Sequence, residues 1–205
     1  MAEKSMAVLI SIQPKWCDLI ARGAKTIEVR KTRPKIETPF KCYIYQSKSK
    51  DRLMYVMKDG DENYGEIYHG KPVFIKTYSE YSNPCERKVI GEFVCDRIID
   101  VDCDSIAPFD KSTGIYIDKQ CCLSREELWK YTGGRCAYGW HISNLIIYDQ
   151  PKELSHFEKP CSHNCYHCKY YCTSSLEEPA YCEWVDCVIT KPPQSWCYVE
   201  DDGNE

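Results

Sequence analysis

The stretch GAKTIEVRKTRPK, residues 23–35, decides how the chain is interpreted. It begins at a glycine and then alternates apolar with charged residues, which is typical of a strand. Residues Glu28 and Arg30 share one face of such a strand, and Lys25, close to the glycine turn, is near enough to swing towards them. The pattern therefore predicts a compact group of opposite charges on a short strand.

The charge of this region is opposite to that of the whole chain. The 205 residues carry a formal net charge of −4, whereas residues 22–41 contain seven Lys and Arg against two Glu, a local +5. A globally basic nucleic-acid binder is thereby excluded, but a local basic face that attracts a phosphate-bearing partner is not. Arg30 is suited to bidentate phosphate contact and Lys25 to a single one.

The remaining sequence predicts many strands and two short helices. Strands are predicted at 7–12, 25–31, 41–46, 88–102, 138–149 and 189–200, with a short hairpin around VFIKTY at 73–78. One helix begins at Pro14 and ends near Gly23, and a second covers 123–134, where Ser124 and Glu127 have capping-box spacing. The fold class is therefore predicted to be α+β, a small β-barrel with two or more short helices added.

Cysteine is unusually frequent, with 15 copies, and six of them lie within residues 161–187. The odd number and the polar start of the chain predict a reducing, cytoplasmic location, where clustered cysteines bind metal more often than they form disulfides. No apolar run approaches the length of a membrane span. The spacing predicts one zinc as cofactor, bound by Cys161, Cys165, Cys168 and Cys187. Alternative ligands are Cys172, Cys182, His163 and His167.

The spacing Gly23-x-Lys25-x-x-Glu28-x-Arg30 resembles the G-x-K-x-x-E-x-R signature of ASCH domains. The stretches GEFVCDRIIDV (91–101) and YGWHISN (138–144) also resemble later strands of that family. The whole chain is similar to small phage-associated ASCH proteins that carry a Cys-rich insert. The resemblance implies a closed PUA-like barrel with a cleft beside the first helix, suited to RNA or a nucleotide.

The expected organisation follows from this resemblance and from the cysteine spacing. Residues 1–158 would form the ASCH barrel, with a long excursion at 47–84. Residues 159–187 would form a Cys-rich zinc-binding insert, 188–200 the closing strand, and 201–205 an acidic tail. A zinc-stapled insert that binds a protein partner, in a protein of phage origin, is one alternative function.

The candidate binding residues come from the basic strand and from nearby aromatics. Trp16 and Tyr138 are candidates for stacking on a base, although core packing is the plainer interpretation for Trp16. Glu28 is able to accept a hydrogen bond from a base amino group, or simply to hold Arg30. The predicted nucleic-acid-binding residues are Trp16, Lys25, Glu28, Arg30, Lys31, Arg33 and Tyr138.

Catalysis is the second alternative. Some ASCH proteins hydrolyse the amide of N4-acetylcytidine with a Lys, a Thr nucleophile and a Glu. Lys25 matches that Lys, but Glu28 occupies the nucleophile position, and Thr26 lies two residues away from it. An amidohydrolase would therefore have to use Lys25, Thr26 and Glu28, and the sequence favours binding over catalysis.

Overall fold

The computed structural model describes residues 5–48, 85, 87–102, 106–160 and 187–201, together with the backbone of 53–57 and 73–76. Strands dominate, and the helices are short. The strands are β1 Met6–Ile12, β2 Ile27–Arg30, β3 Phe40–Gln46, β4 Leu53–Met57, β5 Val73–Lys76, β6 Val89–Asp102, β7 Phe109–Asp110, β8 Ala137–Lys152 and β9 Trp196–Glu200. The helices are α1 Pro14–Ala21, α2 Asp118–Cys121 and α3 Arg125–Thr132, and a 3-10 turn covers Leu154–His156.

One mixed sheet organises the described chain, in the order β2-β8-β6-β3-β1-β9, with β7 paired to β6. β1 and β3 are parallel, and the other pairs are antiparallel. The apolar run of β1 is buried on both faces: Val8 and Ile10 belong to one core cluster, while Ala7 and Leu9 belong to another. This alternation fixes β1 in the middle of the structure, as its continuous apolar sequence predicts.

The two longest strands, β6 and β8, curve the sheet. Their pairing shifts register three times, between Val89 and Gly91, Glu92 and Val94, and Cys95 and Ile98, and such shifts bend the strands. Gly91 lies at the first of these shifts. A Cβ atom there would meet the Ile146 carbonyl oxygen at 2.3 Å, so the close approach of the two backbones requires glycine.

Both predicted helices are present. α1 begins with Pro14, and Gly23 just beyond its end has a positive φ of 73°. α3 is capped as predicted: the Ser124 side chain accepts from the Glu127 backbone N–H, and the Glu127 carboxylate accepts from the Ser124 N–H. Neither helix, nor the four-residue α2, is long and apolar enough to cross a membrane, within the residues described.

The implied closed barrel is found only in part, because the hydrogen-bonded path ends at β2 on one side and β9 on the other. Side chains span the gap between these ends. Arg30 reaches the Ser195 carbonyl oxygen at 3.5 Å, and the Trp196 Nε1 donates to Thr32 Oγ1 at 3.0 Å. The predicted closing strand, 188–200, is a strand only from residue 196 onward.

Residues 190–195 form an irregular segment, which we call the strap. Pro192 and Pro193 carry no N–H group and therefore cannot donate to a β-ladder. The strap is held by Ser11 instead: its N–H donates to the Ser195 oxygen at 2.9 Å, and its hydroxyl donates to the Pro193 oxygen at 2.7 Å. Because of the two prolines, this segment does not pair as a barrel strand. It forms one wall of the cleft described below.

The sequence predicts two additions to the barrel, a hairpin and a Cys-rich insert. The structure describes the strands of the hairpin but only the two ends of the Cys-rich segment. The hairpin around VFIKTY is confirmed, because β4 and β5 form a separate two-stranded antiparallel sheet. Of the predicted zinc ligands and their alternatives only Cys187 lies within the described residues, so the zinc site stays a prediction. The described ends of the Cys-rich segment meet at a bridge between Glu158 and Val188, and the Lys159 N–H donates to the Cys187 oxygen at 2.7 Å.

The predicted acidic tail begins one residue too early. Asp201 is held against the sheet, because its carboxylate lies 3.1 Å from Lys41 Nζ and accepts the Tyr43 hydroxyl at 2.8 Å. Lys41 also faces Glu92 at 3.7 Å, so this cation joins two carboxylates from distant parts of the chain. Asp201 is therefore tied to the sheet by its side chain, one residue beyond the end of β9.

Candidate nucleic-acid interface

A cleft of about 1370 Å³ opens along the unpaired edge of β2. We call it the β2 cleft. One wall is the end of β1 and the start of α1, a second is α3, and a third is the strap. Its described lining comprises Ser11, Ile12, Gln13, Trp16, Lys25, Glu28, Val29, Arg30, Lys31, Thr32, Tyr45, Ser47, Lys48, Arg87, Leu123, Glu127, Lys130, Tyr131, Leu154, Thr190, Pro192, Pro193, Gln194 and Ser195. The cleft therefore lies at the gap left by the open barrel.

The floor of the cleft is the charged group predicted from the sequence. Glu28 lies between two cations: its Oε2 is 3.4 Å from Lys25 Nζ, and its Oε1 is 3.0 Å from Arg30 Nη2. All three side chains are buried, with exposed fractions of 2% for Lys25, 6% for Glu28 and 7% for Arg30. Two cations against one carboxylate leave an excess positive charge in a site with little water, which favours an anionic ligand.

Backbone carbonyl oxygens complete the coordination of the two floor cations. Lys25 Nζ donates to the Cys121 oxygen at 2.6 Å, and Arg30 Nη2 donates to the Ser11 oxygen at 2.7 Å. Arg30 Nη1 lies 3.4 Å from Ser195 Oγ, while its Nε has no hydrogen-bond partner among the residues that the structure describes. Arg30 is thus the residue that ties β2 to β1 and to the strap.

Exposed cations surround the floor. We call this group the rim, and its members are Lys31, Lys48, Arg87 and Lys130. With the floor they make six cations against two carboxylates, a local net charge of +4 in an acidic chain. A concentration of positive charge in a concave site raises the local concentration of an anionic ligand and speeds its association.

Two aromatic side chains line the cleft near cations. The Trp16 ring on α1 lies 5.1 Å from Lys25 Nζ, and the Tyr131 ring on α3 lies 5.1 Å from Lys31 Nζ. Burial raises the pKa of the Tyr131 hydroxyl above its ordinary value, although nearby Arg30 opposes the shift. Tyr131 is therefore neutral at physiological pH and presents an uncharged ring to the cleft.

Of the other predicted binding residues, Lys31 lines the cleft, whereas Arg33 and Tyr138 do not. Lys31 is at the rim, as predicted, but Arg33 lines a second, smaller cavity of about 730 Å³ and covers the Tyr138 ring at 5.5 Å. Tyr138 packs against the core and is not part of the described lining. Its neighbour Trp140 is fully buried, which confirms core packing as its role.

Two polar residues of the strap belong to the site. Gln194 and Ser195 line the cleft, whereas Lys191 is absent from the described lining. Trp196 turns away from the cleft and packs against Trp140 and Tyr198, with ring centroids 5.9 and 5.3 Å away. The strap thus contributes an amide and a hydroxyl, while its tryptophan belongs to the core.

Two of the three residues that an amidohydrolase would use, Lys25 and Glu28, line the cleft. Thr26, the residue an amidohydrolase would need, is not among the described lining residues, and neither is any histidine. Cys17 lies close to the floor, but burial, and then the negative charge of Glu28, raise the pKa of its thiol well above the ordinary value. Both Glu28 oxygens face cations.

Several cleft residues were not predicted from the sequence. Glu127, Lys130 and Tyr131 recur at helical spacing on α3, while Leu128 and Thr132 on its other side are buried. That spacing indicates that α3 has one polar face, but it does not identify the part of the molecule that this face contacts. The exposed Lys15–Glu127 ion pair, with 3.2 Å between Nζ and Oε1, joins this helix to α1 beside the cleft.

No group of three or more His, Cys, Asp or Glu residues in the described part of the chain could hold a metal ion. Most of the predicted zinc ligands lie outside that part, so this finding does not test them. The described floor and rim contain basic groups in excess of carboxylates, and they are suited to an anion rather than to a cation.

Comparison with known proteins identifies the domain. The family model described as "ASCH domain" matches residues 10–101, which include α1, the complete floor and β6 up to Val101. The predicted resemblance to ASCH domains is confirmed over this range of residues. ASCH domains have a PUA-like fold and are generally nucleic-acid-binding.

Solved structures of the ASCH protein from Zymomonas mobilis are similar to the chain. A single-substitution variant is 14% identical with a TM-score of 0.48, and the match covers 94% of this chain and 87% of that one. The unsubstituted protein is 16% identical with a TM-score of 0.43, covering 94% and 86%. A search of curated proteins returns no match.

Proposed function

We propose that the protein binds RNA or a nucleotide in the β2 cleft. The observation that carries this proposal is the concentration of six cations around one opening, together with the rings of Trp16 and Tyr131, in a chain of net charge −4. A basic groove with aromatic faces is the combination that single-stranded nucleic acids and nucleotides bind. The ASCH domain assignment supports the same class of ligand.

The floor and the rim have different tasks in this proposal. The rim cations are exposed and meet phosphates that remain partly hydrated. Lys25 and Arg30 are buried and fixed by Glu28, so they bind an anionic or strongly hydrogen-bonding group that enters the site fully. Because both Glu28 oxygens are occupied by cations, we assign Glu28 the task of holding them in place rather than that of accepting from a base.

Equilibrium binding of a fluorescent single-stranded RNA across a series of salt concentrations tests this proposal. We expect affinity to fall linearly on a double-logarithmic plot as salt rises, because bound cations release counterions. Lys130→Ala should lower the slope by about one, whereas Lys119→Ala, an exposed lysine outside the described cleft lining, should leave it unchanged. Absence of binding at low salt to both the RNA and a free nucleotide would overturn the proposal.

The amidohydrolase alternative has less support, because Thr26 does not belong to the described lining and Glu28 is fully paired. Incubation with N4-acetylcytidine and measurement of acetate distinguishes the two functions. We expect no rapid release. Rapid release that is lost in Lys25→Ala, in a variant shown to be folded, would establish catalysis instead.

We further propose that the Cys-rich segment binds one zinc through Cys161, Cys165, Cys168 and Cys187. The support is the spacing of three thiolates in one short stretch and a fourth close to the strap. Elemental analysis of protein purified without added metal should give about one zinc per chain, and a Cys165→Ser Cys168→Ser double variant should lose it. Iron, or no metal, would refute the assignment, and retention of zinc in Cys187→Ser would move the fourth ligand to Cys172 or Cys182.

A further inference from the structure

An ion pair joins two walls of the β2 cleft. Lys15 lies in the first turn of α1, and its Nζ is 3.2 Å from Glu127 Oε1 on α3. Glu127 lines the cleft, and so does Trp16 beside Lys15, whereas Lys15 itself is not part of the described lining. The pair therefore ties the α1 wall to the α3 wall, and we call Lys15 and Glu127 the clasp.

The Glu127 carboxylate is held in place by its own helix. Its Oε2 accepts the Ser124 N–H at 3.0 Å in the capping box of α3, and its Oε1 faces Lys15. Most exposed ion pairs are weak because two flexible side chains must both be ordered. The α3 cap already orders one of these two side chains, so less conformational entropy is lost when the clasp closes.

The Lys15 ammonium also covers an aromatic ring of the cleft. It lies over the Trp16 ring at 4.3 Å from the centroid, closer than the Lys25 ammonium of the floor, which lies at 5.1 Å. A cation at this distance is attracted to the ring, and it occupies space that a group stacked on the ring would need. One ammonium group therefore pairs with Glu127 and covers Trp16 at the same time.

An anionic ligand competes with Glu127 for this ammonium group. A phosphate oxygen and a carboxylate oxygen are alternative partners of the same kind for a lysine. Both clasp side chains are exposed to solvent, at 61% for Lys15 and 45% for Glu127, so water and ions reach the pair and its separation costs little. A contact that is easily opened and that covers part of the site is suited to controlling access.

We propose that the clasp is a gate on the β2 cleft. In the free protein it covers Trp16 and ties α1 to α3, and an anionic ligand opens it by taking Lys15 from Glu127. This inference rests on the proposed function, but it concerns control of the site and not the class of ligand. The apparent affinity for the ligand is reduced by the fraction of molecules in which the clasp is closed.

Two substitutions of Glu127 separate the contact from its charge. Glu127→Gln removes the charge and keeps an amide oxygen for the capping box, whereas Glu127→Asp keeps the charge and shortens the reach to Lys15. We expect both variants to bind the fluorescent single-stranded RNA about 2- to 10-fold more tightly, the range for loss of an exposed ion pair and a cation–ring contact. Association should become faster and dissociation should not change, because the gate opens before the ligand is bound.

Two other exposed charges provide matched controls. Glu126→Gln and Glu126→Asp make the same changes one residue earlier on α3, at a position outside the described cleft lining. Arg22→Ala breaks an exposed ion pair with Asp18, with 2.8 Å between Nε and Oδ1, that stays on α1 and its cap. None of these controls should change the affinity for the RNA.

Fluorine NMR of protein labelled with fluorotryptophan observes the covered ring in the absence of ligand. Trp16→Phe identifies the Trp16 resonance among those of the five tryptophans. We expect Glu127→Gln and Glu127→Asp to shift this resonance, because the Lys15 ammonium leaves the ring when its partner is lost. Glu126→Gln should leave the resonance where it is.

Three results would overturn the gate while leaving the proposed function intact. The first is tighter binding by Glu127→Gln with unchanged binding by Glu127→Asp, since charge alone would then explain the effect. The second is unchanged or weaker binding of the RNA by both folded variants. The third is a Trp16 resonance that neither variant moves. If the unchanged protein and both variants fail to bind the RNA at low salt, the proposed function fails and the gate fails with it, so the two failures are distinguishable.

Discussion

The floor and the rim of the β2 cleft carry similar cations at different depths. Lys25 and Arg30 are almost completely buried, and Glu28 and backbone oxygens satisfy most of their donors. The rim cations Lys31 and Arg87 are exposed to solvent. Removing one member of a buried charged group leaves another unpaired, whereas removing an exposed charge costs little stability. Depth, and not residue type, therefore separates charges that hold the fold from charges that only attract a ligand.

The largest effect is expected for Glu28→Ala. The substitution leaves Lys25 and Arg30 buried without their counter-charge, and we expect the free energy of unfolding to fall by about 3–5 kcal/mol. Urea denaturation followed by circular dichroism measures this change. Glu37→Ala is the control, because Glu37 is an exposed carboxylate beyond the same strand. A loss below about 1 kcal/mol in Glu28→Ala would remove the distinction between floor and rim.

A smaller effect on the free energy of unfolding is expected for Arg30→Lys, which keeps the positive charge but loses the planar guanidinium group with its several N–H donors. Arg30 Nη2 serves both Ser11 and Glu28 while Nη1 reaches Ser195, and one ammonium group cannot occupy the positions of both nitrogens. We expect unfolding to become easier by about 1–3 kcal/mol. The same change at exposed Arg33 should stay within about 0.5 kcal/mol. Equal effects at both positions would mean that Arg30 does not tie β2 to β1 and the strap.

The rim is expected to affect binding without affecting stability. The Lys31→Ala Arg87→Ala double variant should lower the salt-dependence slope for single-stranded RNA by about two and change unfolding by less than about 0.5 kcal/mol. A Lys111→Ala Lys119→Ala variant, with both exposed cations outside the described lining, is the matched control. Substantial destabilisation by the rim variant would show that these cations also support the fold.

The smallest effect concerns pH and the capping box beside the rim. Hydrogen bonds with Ser124, and then the Lys15 ammonium, hold the pKa of Glu127 below its ordinary value. A lowered folded-state pKa adds stability that is present above the unfolded-state pKa and is lost as pH falls through the folded-state pKa. Glu127→Gln should therefore cost about 0.5–1 kcal/mol at pH 7 and less in acid. A difference that does not shrink between pH 7 and pH 3 would contradict this account.

Much of the local structure could be predicted from the sequence. The charged group of Lys25, Glu28 and Arg30 follows from alternation along a strand, and the α3 cap follows from the spacing of Ser124 and Glu127. Both depend on contacts within a few residues, where backbone geometry alone fixes which side chains meet. The ASCH signature lies in the same short segment, so the family could also be recognised from sequence.

Sequence reasoning reaches its limit where a residue's role depends on a distant partner. The sequence predicts that Tyr138 stacks on a ligand; Tyr138 lies in register with Arg30 across β2 and β8, packs against the core and is not part of the described cleft lining, so that role stays a prediction. Asp201 was assigned to a tail, but Lys41 and Tyr43 hold it on the sheet. In each case the sequence shows a polar or aromatic residue without showing which surface will cover it.

The sequence by itself determined three things: the strand of alternating charge, the two helices α1 (begun by Pro14) and α3 (capped by Ser124), and the resemblance to ASCH domains. Only the tertiary structure decided that the barrel stays open at β2, because Pro192 and Pro193 cannot supply the missing ladder and the strap lies across the gap. It also decided that Tyr131 and Arg87 face that gap. Local periodicity fixes the direction of a side chain within its own element, whereas packing between distant elements fixes what that side chain meets.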